Sequence, residues 1–230
     1  MTSLAAAGLA DPALAHPHVF IDTTVTAILD GQGRLTAVRL RWDYDSLVSM
    51  VVVEDKAADA DMDGRISPAE AVALDGFDMT WIDGFDGDTS LFQGETRLPL
   101  EEGPQDWVTG WTEAESGGHL WSEHTRKLVS PVDPGDGPVS VLVYDVTDYT
   151  AYALVGAELK PVDALDGALS DCRIAPATVG ATAASGSGSE EGGLLATLSL
   201  FVFGQNDGAA VGSVVPGPAA GRVTLVLACG

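Results

Sequence analysis

Asp59, Asp61, Asp63, Gly64, Arg65, Ser67 and Glu70 are spaced as in a twelve-residue EF-hand calcium loop. The three aspartates at positions one, three and five offer hard carboxylate oxygens to one side of an ion. Gly64 at position six permits the sharp turn, and Arg65 offers its backbone carbonyl. Ser67 at position nine can ligate through water, and Glu70 at position twelve can close the shell with two oxygens. Ile66 at position eight is the apolar anchor. Acidic turns are common in an acidic chain, but they rarely match so many spaced positions. The spacing predicts a calcium site.

A second chemistry is available to His16-Pro17-His18. If processing ends at Ala15, the α-amine and imidazole of His16 can chelate one metal, as in a copper brace. His18 then falls on the same face of an extended segment. Imidazole suits zinc, nickel, cobalt or copper, so ligand type does not choose among them. Pro17 excludes the amino-terminal copper/nickel motif, which needs an amide proton at the second residue. His119, Glu123 and His124 are candidates to complete such a site. The two histidines are five apart, however, which places them on opposite faces of a strand. No nucleophile elbow, phosphate loop or dinucleotide fingerprint is present, and no enzyme activity is expected. Asp83-Gly-Phe-Asp86-Gly-Asp88 reads as a plain acidic turn.

An EF-hand loop needs flanking helices. Asp45 to Asp55 reads as the entering helix despite its Val51-Val52-Val53 run, with Asp45 or Ser46 as cap. Ser67, Pro68 and Glu70 form a capping-box start for a leaving helix that ends near Gly76. Elsewhere the chain alternates as strands: 18–29 and 34–42 joined by a turn at Asp30–Gly33, then 89–92, 96–100, 107–113, 119–128, 139–146, 150–155 and 223–227. The five tryptophans are expected in the core. The predicted class is α+β, a mostly antiparallel sheet with an inserted helix–loop–helix. The predicted organisation is a signal peptide at 1–15, and a β-rich domain at 16–177 with the calcium insertion at 45–76. A Gly/Ser-rich loop at 178–193 and a C-terminal helix and strand within 194–230 follow.

The chain has 230 residues and a formal charge of −23, which argues against nucleic acid or anionic membrane surfaces as partners. No apolar run is long enough to span a membrane. Ala13-Leu14-Ala15 reads as a cleavage signature, although no basic residue precedes Arg34. A true start farther upstream accounts for that gap. Export then makes Cys172 and Cys229, the only two cysteines, a disulfide in a periplasmic or secreted protein.

The runs His16-Pro-His-Val-Phe-Ile-Asp22, Gly33 to Asp43, His124-Thr-Arg-Lys-Leu128 and Val143-Tyr-Asp145 with Tyr149 resemble a bacterial family of unknown function. Its members are described as periplasmic components of an uncharacterised ABC-type transport system. The resemblance covers about residues 16–160 well and the tail weakly. It implies a role in nickel, cobalt or zinc handling beside a membrane transporter, with His16, His18 and Asp22 as candidate functional residues. Two further classes compete with that reading. One is a structural or interaction module with calcium as its only ligand; the other is a copper oxidase built on His16.

Overall fold

The computed structural model describes residues 17–113, 118–161, 172–177 and 222–229. Residues 1–15, His16, the 178–193 segment and the helix expected near 194–203 lie outside the described residues. Among the described residues ten strands form two five-stranded sheets: β1 Val19–Leu29, β2 Leu35–Tyr44, β3 Thr89–Gln93, β4 Thr96–Leu98, β5 Gln105–Thr112, β6 His119–Val132, β7 Val139–Val143, β8 Thr150–Pro161, β9 Cys172–Pro176 and β10 Val223–Cys229. The first sheet is ordered β5-β6-β2-β1-β8 and the second β4-β3-β7-β10-β9.

The β1–β2 hairpin shows how local chemistry sets register. The Asp30 carboxylate accepts hydrogen bonds from the backbone N–H of Gln32 and Arg34 and from the Arg34 guanidinium. Gly33 takes the left-handed conformation the turn requires, at φ 79°. Along β1 every second residue from Ile21 to Leu29 is buried, which commits one face to the core. On β6 the same alternation buries Leu120, Ser122, His124, Arg126 and Leu128. Val25, Leu40 and Leu120 from the first sheet join Leu91, Val141 and Leu225 from the second in one hydrophobic cluster. The two sheets therefore pack as a sandwich around one core.

The expected α+β class with a helix–loop–helix insertion is overturned, because the architecture is a two-sheet β fold. The entering helix exists as α1, Ser46–Asp55, capped by the Asp45 carboxylate, which accepts from Leu47 N–H and Val48 N–H. Its valine run survives because Val48, Val52 and Val53 pack against the core and compensate for weak propensity. Ser49 ties the helix to the sheet: its hydroxyl donates to Asp45 O at 2.7 Å and accepts from Leu120 N–H at 2.9 Å. The leaving helix is absent. Glu70–Leu74 makes only a five-residue 3₁₀ segment before Gly76 turns away at φ 64°. Leu74 is its one buried side chain and Val72 is 73% exposed, so no apolar stripe pays for a longer helix.

Two pairings lay beyond pattern reading. β8 runs parallel to β1 along the length of both, which carries it past Val155 to Pro161. β10 inserts between β7 and β9, one strand in from the edge of the second sheet, so it is integral to the sheet rather than an appendage. That pairing sets Cys229 opposite Cys172, and the two form a disulfide. The tryptophan expectation holds for Trp42 at 4% exposure but fails for Trp107 at 39%. Trp121 instead lies under the Arg41 guanidinium, 4.3 Å from its ring centre.

Candidate metal centre

The loop between α1 and the 3₁₀ segment is held by its own carboxylates. Asp59 accepts from Asp63 N–H at 3.2 Å and Gly64 N–H at 3.0 Å. Asp61 accepts from Asp63 N–H, and Asp63 from Arg65 N–H at 2.8 Å. Gly64 adopts φ 77° and Met62 φ 58°, which fold the chain back over the aspartates. One oxygen from each of Asp59, Asp61 and Asp63 then lies within 4.8 Å of the others. Among the described residues this is the one group of three His, Cys, Asp or Glu brought so close.

Glu70 closes the loop from its far end. Its Oε1 accepts from Ala60 N–H at 2.9 Å, and its Oε2 accepts from Ser67 N–H at 2.9 Å and Ser67 Oγ–H at 2.7 Å. The Ser67 hydroxyl chiefly, then the backbone N–H groups, hold its carboxyl below the ordinary range against a small opposing effect of desolvation. Glu70 is thus ionised and next to the loop's start, but it does not join the aspartate trio. Arg65 is exposed, and its side chain takes no part. Ile66 is 7% exposed and fastens the loop to the sheet. Its N–H donates to Glu113 Oε1, which also accepts from Trp111 Nε1–H at 2.9 Å. Three converging carboxylates suit a hard cation of variable coordination.

The histidines are not gathered. His18 is exposed just ahead of β1; its N–H donates to Tyr149 O, and its ring sits 5.1 Å from the Tyr149 ring. Asp22 is exposed four residues later, directly opposite Asp43 of β2. His119 Nε2 lies 3.5 Å from Asp43 Oδ1, but Asp43 is already gripped by Arg41 at 2.7 Å. Glu123 binds Arg39 and Arg41. His124 points the other way, fully buried in the core. His18 and Asp22 therefore share a face with His119, while His124 cannot reach them through the sheet.

The family profile described as "Protein of unknown function (DUF1007)" matches residues 1–183. The chain belongs to this family. A search of curated proteins finds no match.

Sequence reasoning missed the polar groups that this DUF1007 member gathers behind its sheets, half-buried at Asp78 and Asp88 and fully buried at His124. Asp78 Oδ2 accepts from Tyr44 Oη–H and Ser122 Oγ–H, both at 2.6 Å. Burial raises the Asp78 carboxyl, and those hydrogen bonds pull it back in part. Asp88 accepts from Tyr152 Oη–H at 2.7 Å and is pushed up to about 6, mainly by burial. His124 sits edge-on to Trp42 and Trp81 at 4.5 and 5.3 Å. Burial first, then the Arg126 and Arg39 charges, lower it to about 3, so it is a neutral imidazole. Neither of its ring nitrogens has a hydrogen-bond partner among the described residues. The available signal was an acid inside an apolar run, Phe77-Asp78-Met79, where a solvated aspartate is out of place.

Proposed function

We propose that this chain is an exported calcium-binding protein, and that it serves as an accessory or substrate-binding component of transition-metal handling. The observation that carries the calcium reading is the convergence of Asp59, Asp61 and Asp63 oxygens within 4.8 Å in a loop already folded by its own hydrogen bonds. A loop ordered this way loses little entropy on taking up the ion. With one short helix before it and a 3₁₀ segment after it, the loop has no helix pair to swing open. Its contact to Glu113 at the end of β5 makes calcium a staple between the loop and the first sheet. Export is supported by the Cys172–Cys229 disulfide. No helix among the described residues is long and apolar enough to cross a membrane.

The metal-handling part rests on the resemblance and on the exposure of His18 and Asp22 on the outward face of β1. Zinc, nickel, cobalt and copper are the candidate cargoes, and a membrane transporter the candidate partner. A purely structural module with calcium as its only ligand is the competing reading, and it rests on Asp59, Asp61 and Asp63 being, among the described residues, the one group of three His, Cys, Asp or Glu with ligand atoms within 4.8 Å. The copper-brace reading loses His124, which is buried.

Thermal melts with calcium and with chelator, beside titrations of zinc, nickel and copper, test the proposal. At hundredfold excess over its dissociation constant, calcium stabilises the native chain by about 2.7 kcal/mol. Glu70→Gln and Asp59→Ala are each expected to remove most of that gain. Identical melts with calcium and chelator refute the calcium site. His18→Ala should weaken transition-metal binding and leave calcium binding unchanged; equal affinities would leave calcium as the only ligand.

A further inference from the structure

A cleft of about 520 Å³ opens between β4 of the second sheet and β6 of the first, away from the calcium loop. Pro99 to Gly103 runs along β6 as its wall: Glu101 N–H donates to Lys127 O at 2.8 Å, and Val129 N–H donates to Pro99 O at 3.0 Å. The volume lies within the range of small-molecule sites, about 300–1,000 Å³. Its lining is chemically divided. Phe85, Leu98 and Leu100 supply apolar surface, and the Arg126 side chain reaches it from the buried face of β6.

Arg126 is the unusual member. It is 3% exposed, in a chain with a large excess of acid, yet it makes no salt bridge among the described residues. Its Nη1–H donates to Gly103 O, its guanidinium carbon lies 5.0 Å from the centre of the Trp81 ring, and its buried Nε–H has no acceptor among the described residues. The other cation at the cleft, Arg97, is spent on Asp86 at 2.5 Å and also donates to Ser90 Oγ. A buried guanidinium without a carboxylate is costly unless something neutralises it. Its planar fork matches a carboxylate in particular.

The rim carries the opposite sign. Glu101 and Glu102 are exposed at the cleft, and Glu101 is engaged only by the Gln105 amide among the described residues. They repel a dianion and attract a cationic group. We propose that this cleft binds a small zwitterion, an amino-acid-like molecule. Its carboxylate meets Arg126, its ammonium group faces Glu101 and Glu102, and its apolar part lies against Phe85, Leu98 and Leu100. The site is independent of the calcium loop and of His18.

Titration calorimetry on the native chain, with tryptophan emission reporting Trp81 beside Arg126, tests this with L-leucine, L-leucine amide, 4-methylpentanoate, succinate and inorganic phosphate. L-leucine should saturate one site, and the amide, which lacks the carboxylate, should bind at least about tenfold more weakly. The acid without the ammonium group should also lose affinity, and succinate and phosphate should be weaker still. Arg126→Lys keeps the charge but not the fork and should cost at least about tenfold in L-leucine affinity. Glu102→Gln, at an exposed position, should weaken L-leucine and strengthen succinate. No saturable signal from L-leucine at about 10 mM overturns the proposal. So does amide or succinate binding as tight as that of L-leucine. Should Arg126→Lys lose its cooperative melt, the comparison of L-leucine with its amide on the native chain decides.

Discussion

Acidification should destabilise this fold through one residue, His124. The imidazole is fully buried, edge-on to two tryptophans, and titrates at about 3 instead of its ordinary 6.5. Its folded-state value is lowered, so the unfolded chain takes up a proton that the native chain refuses. The stability it contributes is complete above pH 6.5 and is lost as pH falls toward 3. Between pH 7 and pH 5 that loss amounts to about 2 kcal/mol. Asp88 works in the opposite sense. Its folded value of about 6 lies above the ordinary 3.8, so the native chain binds the extra proton and gains about 1 kcal/mol over the same interval. These two groups together leave a net loss of about 0.5 kcal/mol from pH 7 to pH 5, and the raised Asp78 carboxyl acts in the same sense as Asp88. His124→Phe, which keeps a flat ring of similar size and removes the orphaned nitrogens, should instead gain about 1 kcal/mol. Urea unfolding followed by tryptophan fluorescence at pH 7, 6 and 5, at one fixed calcium concentration, reads both curves. Parallel curves for the two proteins would show that His124 is protonated or solvated in the native state, and the reasoning would fail.

Reducing the Cys172–Cys229 disulfide releases a 57-residue separation. It should lower stability by about 4 kcal/mol in the chain-entropy treatment, measured as the urea-midpoint shift of Cys172→Ser/Cys229→Ser; an unchanged midpoint would contradict a stabilising cross-link. Ser49→Ala leaves Leu120 N–H buried without its acceptor and should cost about 1–3 kcal/mol. Hydrogen exchange at Leu120 should then speed up together with α1 amides, whereas unchanged protection would mean that α1 is not tied to β6 through Ser49.

The long strands β1 and β6 were legible because each carries its own alternation, whereas β9, Cys172–Pro176, was not read from the sequence. Ile21 to Leu29 and Leu120 to Leu128 state which face is buried without reference to any partner. The Asp30 turn, the Asp45 cap and the convergence of Asp59, Asp61 and Asp63 were legible for a similar reason, since each works through atoms only a few residues apart. The leaving helix misled because Ser67, Pro68 and Glu70 do form a helix start, with Glu70 reaching back to Ser67 N–H. What the start lacks is a neighbouring surface to bury Val72, and a cap cannot supply one. Tertiary structure alone decided the parallel β1–β8 pairing, the insertion of β10 between β7 and β9, and the cleft at Arg126. It also decided the fates of the histidines. Five residues separate His119 from His124, so the pleat was certain to send them to opposite faces. Which face would be water and which the core depended on a second sheet, whose strands lie both before and after β6 in the chain. Alternation is a local property of a strand, whereas burial is set by whatever packs against it.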